Sequence, residues 1–242
     1  KLTISATANV TVTSSFVVVT TITIDGGTVT IANGQYLNTG TTGSVIVNSG
    51  TIAAAGTGYI YFYKPGSGKG LTTFTAGTIS APILFKGPNA AAVIAPGTYG
   101  GLVTVKNYES SSGTGTWTPS AGTYTFTGGF AVTNDRADTT ITIANTNNPS
   151  FIIQGDVTFT QSAGTLAYTA GTGTITLSGT AAQTINFAGK TVENIIVTKP
   201  TSGAITWTSG DTITAGGNWS MTALTVPTGV TVAMGTNDIA VS

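Results

Sequence analysis

Charged residues are scarce in this sequence. Lysine and arginine together number 8, aspartate and glutamate also number 8, and charged residues make up 7% of the 242 positions, against about 25% in an ordinary soluble domain. The formal net charge is zero. Nucleic-acid binding needs a dense basic face and electrostatic membrane binding needs basic clusters, so the composition argues against both. A neutral surface also leaves no charge to keep copies of the chain apart.

Cysteine and histidine are absent, and so are long apolar runs. Without cysteine the chain forms no disulfide, no thiolate and no iron–sulfur centre. Without histidine it lacks the usual neutral-pH base and the commonest metal ligand. No run of 18 or more apolar residues is present, so we expect no membrane-spanning helix.

Threonine is abundant instead, and it alternates with apolar residues. This period of two predicts half-buried strands, with threonine on the solvent face and Val, Ile, Phe or Trp on the buried face. Glycine, asparagine and proline end the strands, as tight turns require. No segment has the apolar spacing of an amphipathic helix. The alternation is seen at Thr11–Thr13, Thr21–Thr23, Thr28–Thr30, Thr73–Thr75, Thr116–Thr118, Thr140–Thr142, Thr158–Thr160, Thr174–Thr176, Thr206–Thr208 and Thr212–Thr214.

One spacing of apolar residues and glycines occurs twice without a gap, at Ile83–Asn107 and at Ile175–Lys199. The matched pairs lie 92 residues apart: Phe85 with Leu177, Gly87 with Gly179, Val93 with Ile185, Gly97 with Gly189 and Val105 with Val197. Such a repeat is typical of a stacked β architecture. It predicts that the apolar members of these pairs point inward and that the two copies are equivalent coils.

These residues resemble the secreted right-handed parallel β-helix repeat proteins of bacterial and archaeal surfaces. The resemblance rests on Ala163–Leu166, Leu177–Gly179 and Asn194–Val197, and it covers about two thirds of the chain. It implies a right-handed parallel β-solenoid over residues 44–242, in a secreted surface, filament or adhesin protein. Residues 1–43 do not match it, and we expect them to form a separate N-terminal strand segment. Tandem antiparallel β-sandwich or jelly-roll domains remain the alternative.

Few residues suggest a catalytic, metal-binding or phosphate-binding site. Glu193 and Asp211 are about one coil apart in sequence, so a solenoid could bring these two carboxylates together for glycoside hydrolysis. Asn134–Asp138 carries oxygens that could bind calcium. Gly66–Gly70 lacks the residues of a phosphate-binding loop and is typical of a flexible corner. We therefore predict no enzyme, no catalytic residue, no cofactor and no metal site.

Three tyrosines occupy outward positions of one strand. Alignment of Tyr59–Tyr63 with Thr174–Ser178 places Tyr59, Tyr61 and Tyr63 where the repeat otherwise has hydroxyl residues. This pattern favours a contact surface for a sugar, a second subunit or the chain's own N-terminal segment. An aromatic ladder within the chain is an equal alternative.

The N-terminal stretch is a long strand former with no sign of a capping helix. Its Phe16–Val19 run lacks alternation, so both faces seek burial, and an uncovered strand edge can pair with another copy. We predict an assembly interface formed by Val10, Val12, Phe16, Val17, Val18, Val19, Ile22 and Ile24.

Together these features predict an extracellular structural protein, with its signal peptide removed, that self-associates head to tail into a filament, fibre or surface layer. The alternative is a glycan-binding adhesin or phage tail-fibre module. An ice-binding protein and a polysaccharide-active enzyme are lesser alternatives. Asn9 and Asn218 begin sequons for glycosylation.

Overall fold

The chain forms a parallel β-solenoid of about eight turns. A computed structural model describes residues 1–17, 20–88, 91–107, 113–199, 204–207, 212–214, 219–221, 223–225, 231–236 and 238–241. All strand pairs in these residues are parallel. The predicted solenoid is confirmed, and the alternative of antiparallel sandwiches is wrong.

Short strands follow one another around each coil. They are β1 Leu2–Val12, β2 Phe16–Val17, β3 Thr21–Ile31, β4 Tyr36–Asn38, β5 Ser44–Ala54, β6 Tyr59–Tyr63, β7 Gly70–Phe74, β8 Thr78–Ile79, β9 Ile83–Lys86, β10 Val93–Ile94, β11 Gly97–Tyr99, β12 Val103–Lys106, β13 Gly113–Trp117, β14 Thr123–Phe126, β15 Phe130–Asn134, β16 Thr139–Ala144, β17 Ser150–Ile153, β18 Val157–Gln161, β19 Thr165–Thr169, β20 Thr174–Leu177, β21 Gln183–Asn186, β22 Asn194–Val197, β23 Ala204–Trp207, β24 Thr212–Thr214, β25 Trp219–Met221, β26 Ala223–Thr225, β27 Thr231–Ala233 and β28 Ile239–Val241. None of the described residues lies in a helix, so none belongs to one long and apolar enough to cross a membrane.

Two long sheets run the length of the solenoid. The first has the order β1-β3-β5-β8-β11-β14-β17-β20-β22, with β7 and β10 attached beside β5. The second has the order β2-β4-β6-β9-β12-β15-β18-β21-β23-β26. A third, shorter sheet of β13, β16 and β19 forms another side of the middle coils. Partners in the second sheet are 19 to 28 residues apart, which is the length of one coil.

Inward residues of successive coils stack into one continuous core. In the second sheet Phe62, Phe85, Val105, Val132 and Phe159 lie in register and are buried. Burial of each such side chain stabilises the fold by about 1.5–3 kcal/mol. The aromatic members contact one another across coils, as between Phe62 and Phe85, whose ring centroids are 5.8 Å apart.

The repeated segments are not equivalent coils, although most of their apolar residues point inward. Phe85 and Leu177 are both fully buried, but β9 belongs to the second long sheet and β20 to the first. Val93 is half-buried, and its neighbour Ile94 is the one that enters the core. The predicted inward position of Val93 is therefore wrong by one residue, because β10 pairs with β7 away from the main path of the sheet.

The first coils lie in the same sheets as the rest. β1 pairs with β3, and β3 pairs with β5, so the sheets continue through the boundary that the sequence suggests at residue 43. The side chains of Ile4, Ile24 and Val29 belong to the common core.

Candidate interaction surfaces

The outward tyrosines form one cluster, here called the tyrosine face, which consists of Tyr36, Tyr59, Tyr61 and Tyr63. Tyr36 and Tyr59 are paired in register on β4 and β6, with ring centroids 5.6 Å apart. Tyr36 lies 5.6 Å from Tyr61, Tyr59 lies 6.0 Å from Tyr61, and Tyr61 lies 5.8 Å from Tyr63. The rings are tilted at 39° to 81° to one another and each is half-buried, so the face is both an aromatic ladder and a corrugated outer surface.

The hydroxyls of Tyr59 and Tyr61 stay protonated over the whole neutral range. Burial, with the neighbouring tyrosines second, raises the pKa of Tyr61 to about 12. Burial and the nearby Tyr36 also raise the pKa of Tyr59. The face therefore presents neutral rings with hydroxyl groups that can donate and accept hydrogen bonds.

An apolar groove of about 430 Å³ adjoins Tyr59. Leu84 lies opposite Tyr61 in the next coil, and Leu102, which also lines the groove, is 41% exposed. The groove is lined by Gly56, Thr57, Tyr59, Pro82, Ile83, Leu84, Leu102 and Thr104.

Three lysines lie at the opposite end of the tyrosine face. Lys86 and Lys106 follow Tyr63 in register on the next two coils, and the Lys64 ammonium lies 5.4 Å from the centroid of the Tyr63 ring. Lys106 Nζ contacts Asp135 Oδ2 at 2.8 Å. That hydrogen bond lowers the pKa of Asp135, whereas burial and the adjacent Lys106 lower the pKa of Lys86.

The predicted assembly residues divide into buried and exposed ones. Val12, Ile22 and Ile24 are buried, so their side chains serve the chain's own core rather than contact with a second copy. Val10 is half-buried and Val17 is 53% exposed.

The other predicted assembly residues are less fully described. Phe16 lies in β2, where only its backbone is described, and Val18 and Val19 lie outside the described residues.

Exposed large apolar side chains concentrate at the two ends of the solenoid. Leu2 and Val17 belong to the first two strands, and Ile239 and Val241 belong to the last. Apart from Leu102 in the groove, they are the large hydrophobic residues exposed in the described part of the chain. Within the same residues β1 pairs only with β3, and β28 only with β25, so one backbone edge of each strand is unpaired.

Glu193, one of the two carboxylates considered for glycoside hydrolysis, is held by hydrogen bonds inside the fold. Glu193 is 2% exposed; its Oε1 accepts hydrogen bonds from Asn145 Nδ2 at 2.7 Å and from the Gly171 amide at 2.9 Å. Its Oε2 accepts one from the Tyr168 hydroxyl at 2.5 Å. Asp211, the other carboxylate of this pair, lies outside the described residues.

The Asn134–Asp138 loop is tied to its surroundings rather than open around a cation. Asn134 Nδ2 donates to the carbonyls of Thr139 and Thr165 at 2.9 and 2.7 Å, and Arg136 Nε lies 3.6 Å from Asp138 Oδ1. No group of three or more potential metal ligands occurs among the residues that the structure describes.

Outward threonines align in columns of unequal length: on the first long sheet Thr28, Thr51 and Thr78 are in register, and Thr98 and Thr125 are paired on the coils that follow. Thr114, Thr140 and Thr165 are in register, but the column of Thr116 and Thr142 ends at Ala167. Of the two sequons, Asn9 is exposed on β1 and Asn218 lies outside the described residues.

Comparison of the chain with protein-family models, with curated proteins and with solved structures found no match.

Sequence reasoning missed Tyr36 and the lysine cluster. Tyr36 precedes Tyr59 by 23 residues, one coil length, but it stands alone in Gln35–Leu37 without a recognisable pattern. If the length of this coil had been known from the sequence, the 23-residue spacing would have placed Tyr36 beside Tyr59.

Proposed function

We propose that the chain is an extracellular structural protein whose copies stack end to end into a filament, fibre or surface layer. The observation that carries this proposal is the exposure of Leu2 and Val17 at one end and of Ile239 and Val241 at the other. Large exposed apolar residues grouped in one place mark interaction sites, and an unpaired strand edge is a template for another strand.

The two ends differ in sequence, so a contact between them is heterologous. A heterologous contact generates an open filament when the rotation between successive subunits does not close into a ring. β1 offers an edge of 11 residues, and each main-chain hydrogen bond across it contributes about 0.5–1.5 kcal/mol net. Because the formal net charge is zero, no net charge repulsion opposes this association.

A variant series tests the stacking. Leu2→Asp and Val241→Asp each place a charge in the contact between subunits. At concentrations where the unmodified chain forms long particles in negative-stain microscopy, we expect both variants to form only short ones. Leu102→Asp is the matched control, because Leu102 is equally exposed but lies on the side of the solenoid; this variant should assemble normally. The proposal is wrong if the unmodified chain stays monomeric as its concentration rises, or if the end variants assemble like the control.

A second candidate function is glycan binding, as in an adhesin or a phage tail-fibre module. The observation that favours it is the tyrosine face beside an apolar groove, since binding sites combine apolar and aromatic walls with a few polar groups. Retention of the monomer on an immobilised glycan, abolished by the double variant Tyr59→Thr/Tyr61→Thr, is the corresponding test.

A further inference from the structure

The tyrosine face lies between two different surfaces, with the lysine cluster at one end and the apolar groove at the other. From the groove the order along the strands is Tyr59, then Tyr61, then Tyr63. At a rise of about 3.3 Å per residue, Tyr59 to Tyr63 spans about 13 Å, which is long enough for a short oligosaccharide lying along the strand.

The charges at the far end are mostly of one sign. Lys64, Lys86 and Lys106 are close to Tyr63 or in register with it, and Asp135 is the acidic side chain paired with them. Three formal positive charges against one negative leave an excess of two, in a chain whose formal net charge is zero. Lys86 is only 2% exposed, so Lys64 and Lys106, which are half-buried, are the lysines open to a ligand. These three lysines are also a large share of the 8 basic residues in the chain.

We propose that this face binds an acidic polysaccharide, with sugar rings packed on the tyrosines and in the groove and with carboxylates directed to the lysines. The proposal rests on the glycan-binding candidate and is independent of end-to-end stacking. Tyrosine suits a sugar because its ring contacts the apolar C–H face while its hydroxyl meets the hydroxyl rim. Lys64 and Lys106 supply the charge-assisted hydrogen bonds that a carboxylate accepts.

A nucleic acid fits the face less well. Its backbone requires many basic contacts along its length, whereas the lysines here are confined to one end. The other end is lined by Pro82, Leu84 and Leu102, which offer a phosphate nothing to bind.

Affinity electrophoresis of the folded chain tests this, with polygalacturonate as the acidic polymer and dextran as the neutral one. We expect retardation by polygalacturonate and much less by dextran, with binding weakened by salt. Tyr59→Thr/Tyr61→Thr keeps residues that other outward positions carry and should weaken binding at least about tenfold. Lys64→Gln should weaken it roughly threefold to tenfold and reduce its salt dependence. Lys190→Gln is the matched control: it removes a lysine remote in sequence from the face and should leave binding unchanged.

The outcomes separate this proposal from the broader ones. Equal retardation by both polymers, equal effects of Lys64→Gln and Lys190→Gln, or a preference for single-stranded polynucleotide over polygalacturonate would each overturn it. Equal retardation that disappears in the double tyrosine variant would overturn the acidic preference but keep glycan binding. If the double variant does not fold, as judged by circular dichroism, Leu102→Asp tests the same groove, because its carboxylate should repel the polymer without blocking assembly.

Discussion

At the scale of single residues, burial is the main cause of the raised tyrosine pKa values. Burial raises the pKa values of Tyr99 and Tyr124, whose hydroxyls donate to the carbonyls of Ala95 and Ile94 inside the solenoid. Burial and the neighbouring Glu193 raise the pKa of Tyr168. The fold therefore holds these tyrosines, with Tyr59 and Tyr61, in the protonated form.

The expected pH profile follows from these shifts. Between about pH 5 and 8 the free energy of unfolding should be flat, since histidine is absent. Above about pH 10 the unfolded tyrosines lose protons that the folded ones keep, so stability should fall as pH rises. Burial lowers the pKa values of Lys86 and Lys199, which opposes this fall only until unfolded lysine is neutral, near about pH 10.4.

At low pH, protonation of Asp135 lowers the stability of the fold. Its pKa is lowered in the fold by Lys106, so its contribution to stability is complete above about pH 3.9 and is lost as pH falls through the folded value. Urea unfolding measured from pH 3 to pH 12 checks the whole profile. A sharp transition near pH 6 would contradict it.

At the scale of the elements, glycine determines how closely successive coils can approach at one corner. Gly26, Gly50 and Gly77 stack there with φ of +108°, +92° and +108°. A Cβ on Gly50 would lie 2.6 Å from the carbonyl oxygens of Gly26 and Gly27, and one on Gly77 would lie 2.3 Å from the oxygen of Gly50. These contacts are too close for any side chain, so the corner requires glycine for space as well as for conformation.

Two alanine variants separate the two requirements. Gly34 has φ of +71° and open space around its Cβ position, so Gly34→Ala should cost only the strain of the backbone, about 1 kcal/mol. Gly50→Ala adds a clash with the neighbouring coil and should cost about 2 kcal/mol more. Denaturant unfolding measures both. Equal losses of unfolding free energy in the two variants would mean that the backbone at the corner shifts to accommodate the added methyl group and that the coils are not closely packed there.

The same scale shows what the sequence could predict. Alternating threonine identified strands such as β16 and β20, because a period of two leaves one face for the core. The 92-residue offset predicted which side of a strand faces inward at Phe85 and Leu177. It could not predict their sheets, because coil length varies from 19 to 28 residues. Four coils after Ile83 the second long sheet reaches Ile185, which is 102 residues on (185 − 83 = 102) rather than 92.

The tyrosine face shows the same limit. Tyr59, Tyr61 and Tyr63 share one strand, and their common side could be predicted from alternation alone. Tyr36 and Lys86 join them only through the register between coils. That register depends on corner lengths, which alternation does not encode.

For the whole molecule, the stacking of coils makes contacts nearly one-dimensional, because each coil packs mainly on the one before and the one after. A mechanical pull on the two ends therefore loads the coils in series. We expect them to peel away singly, each releasing 19 to 28 residues, or about 60–100 Å of extended chain. Stretching single molecules in optical tweezers should give a sawtooth with unequal steps in that range, and one abrupt rupture of the full length would contradict it. A fibre of such subunits would lengthen under load by yielding a coil at a time, and so would absorb energy before it breaks.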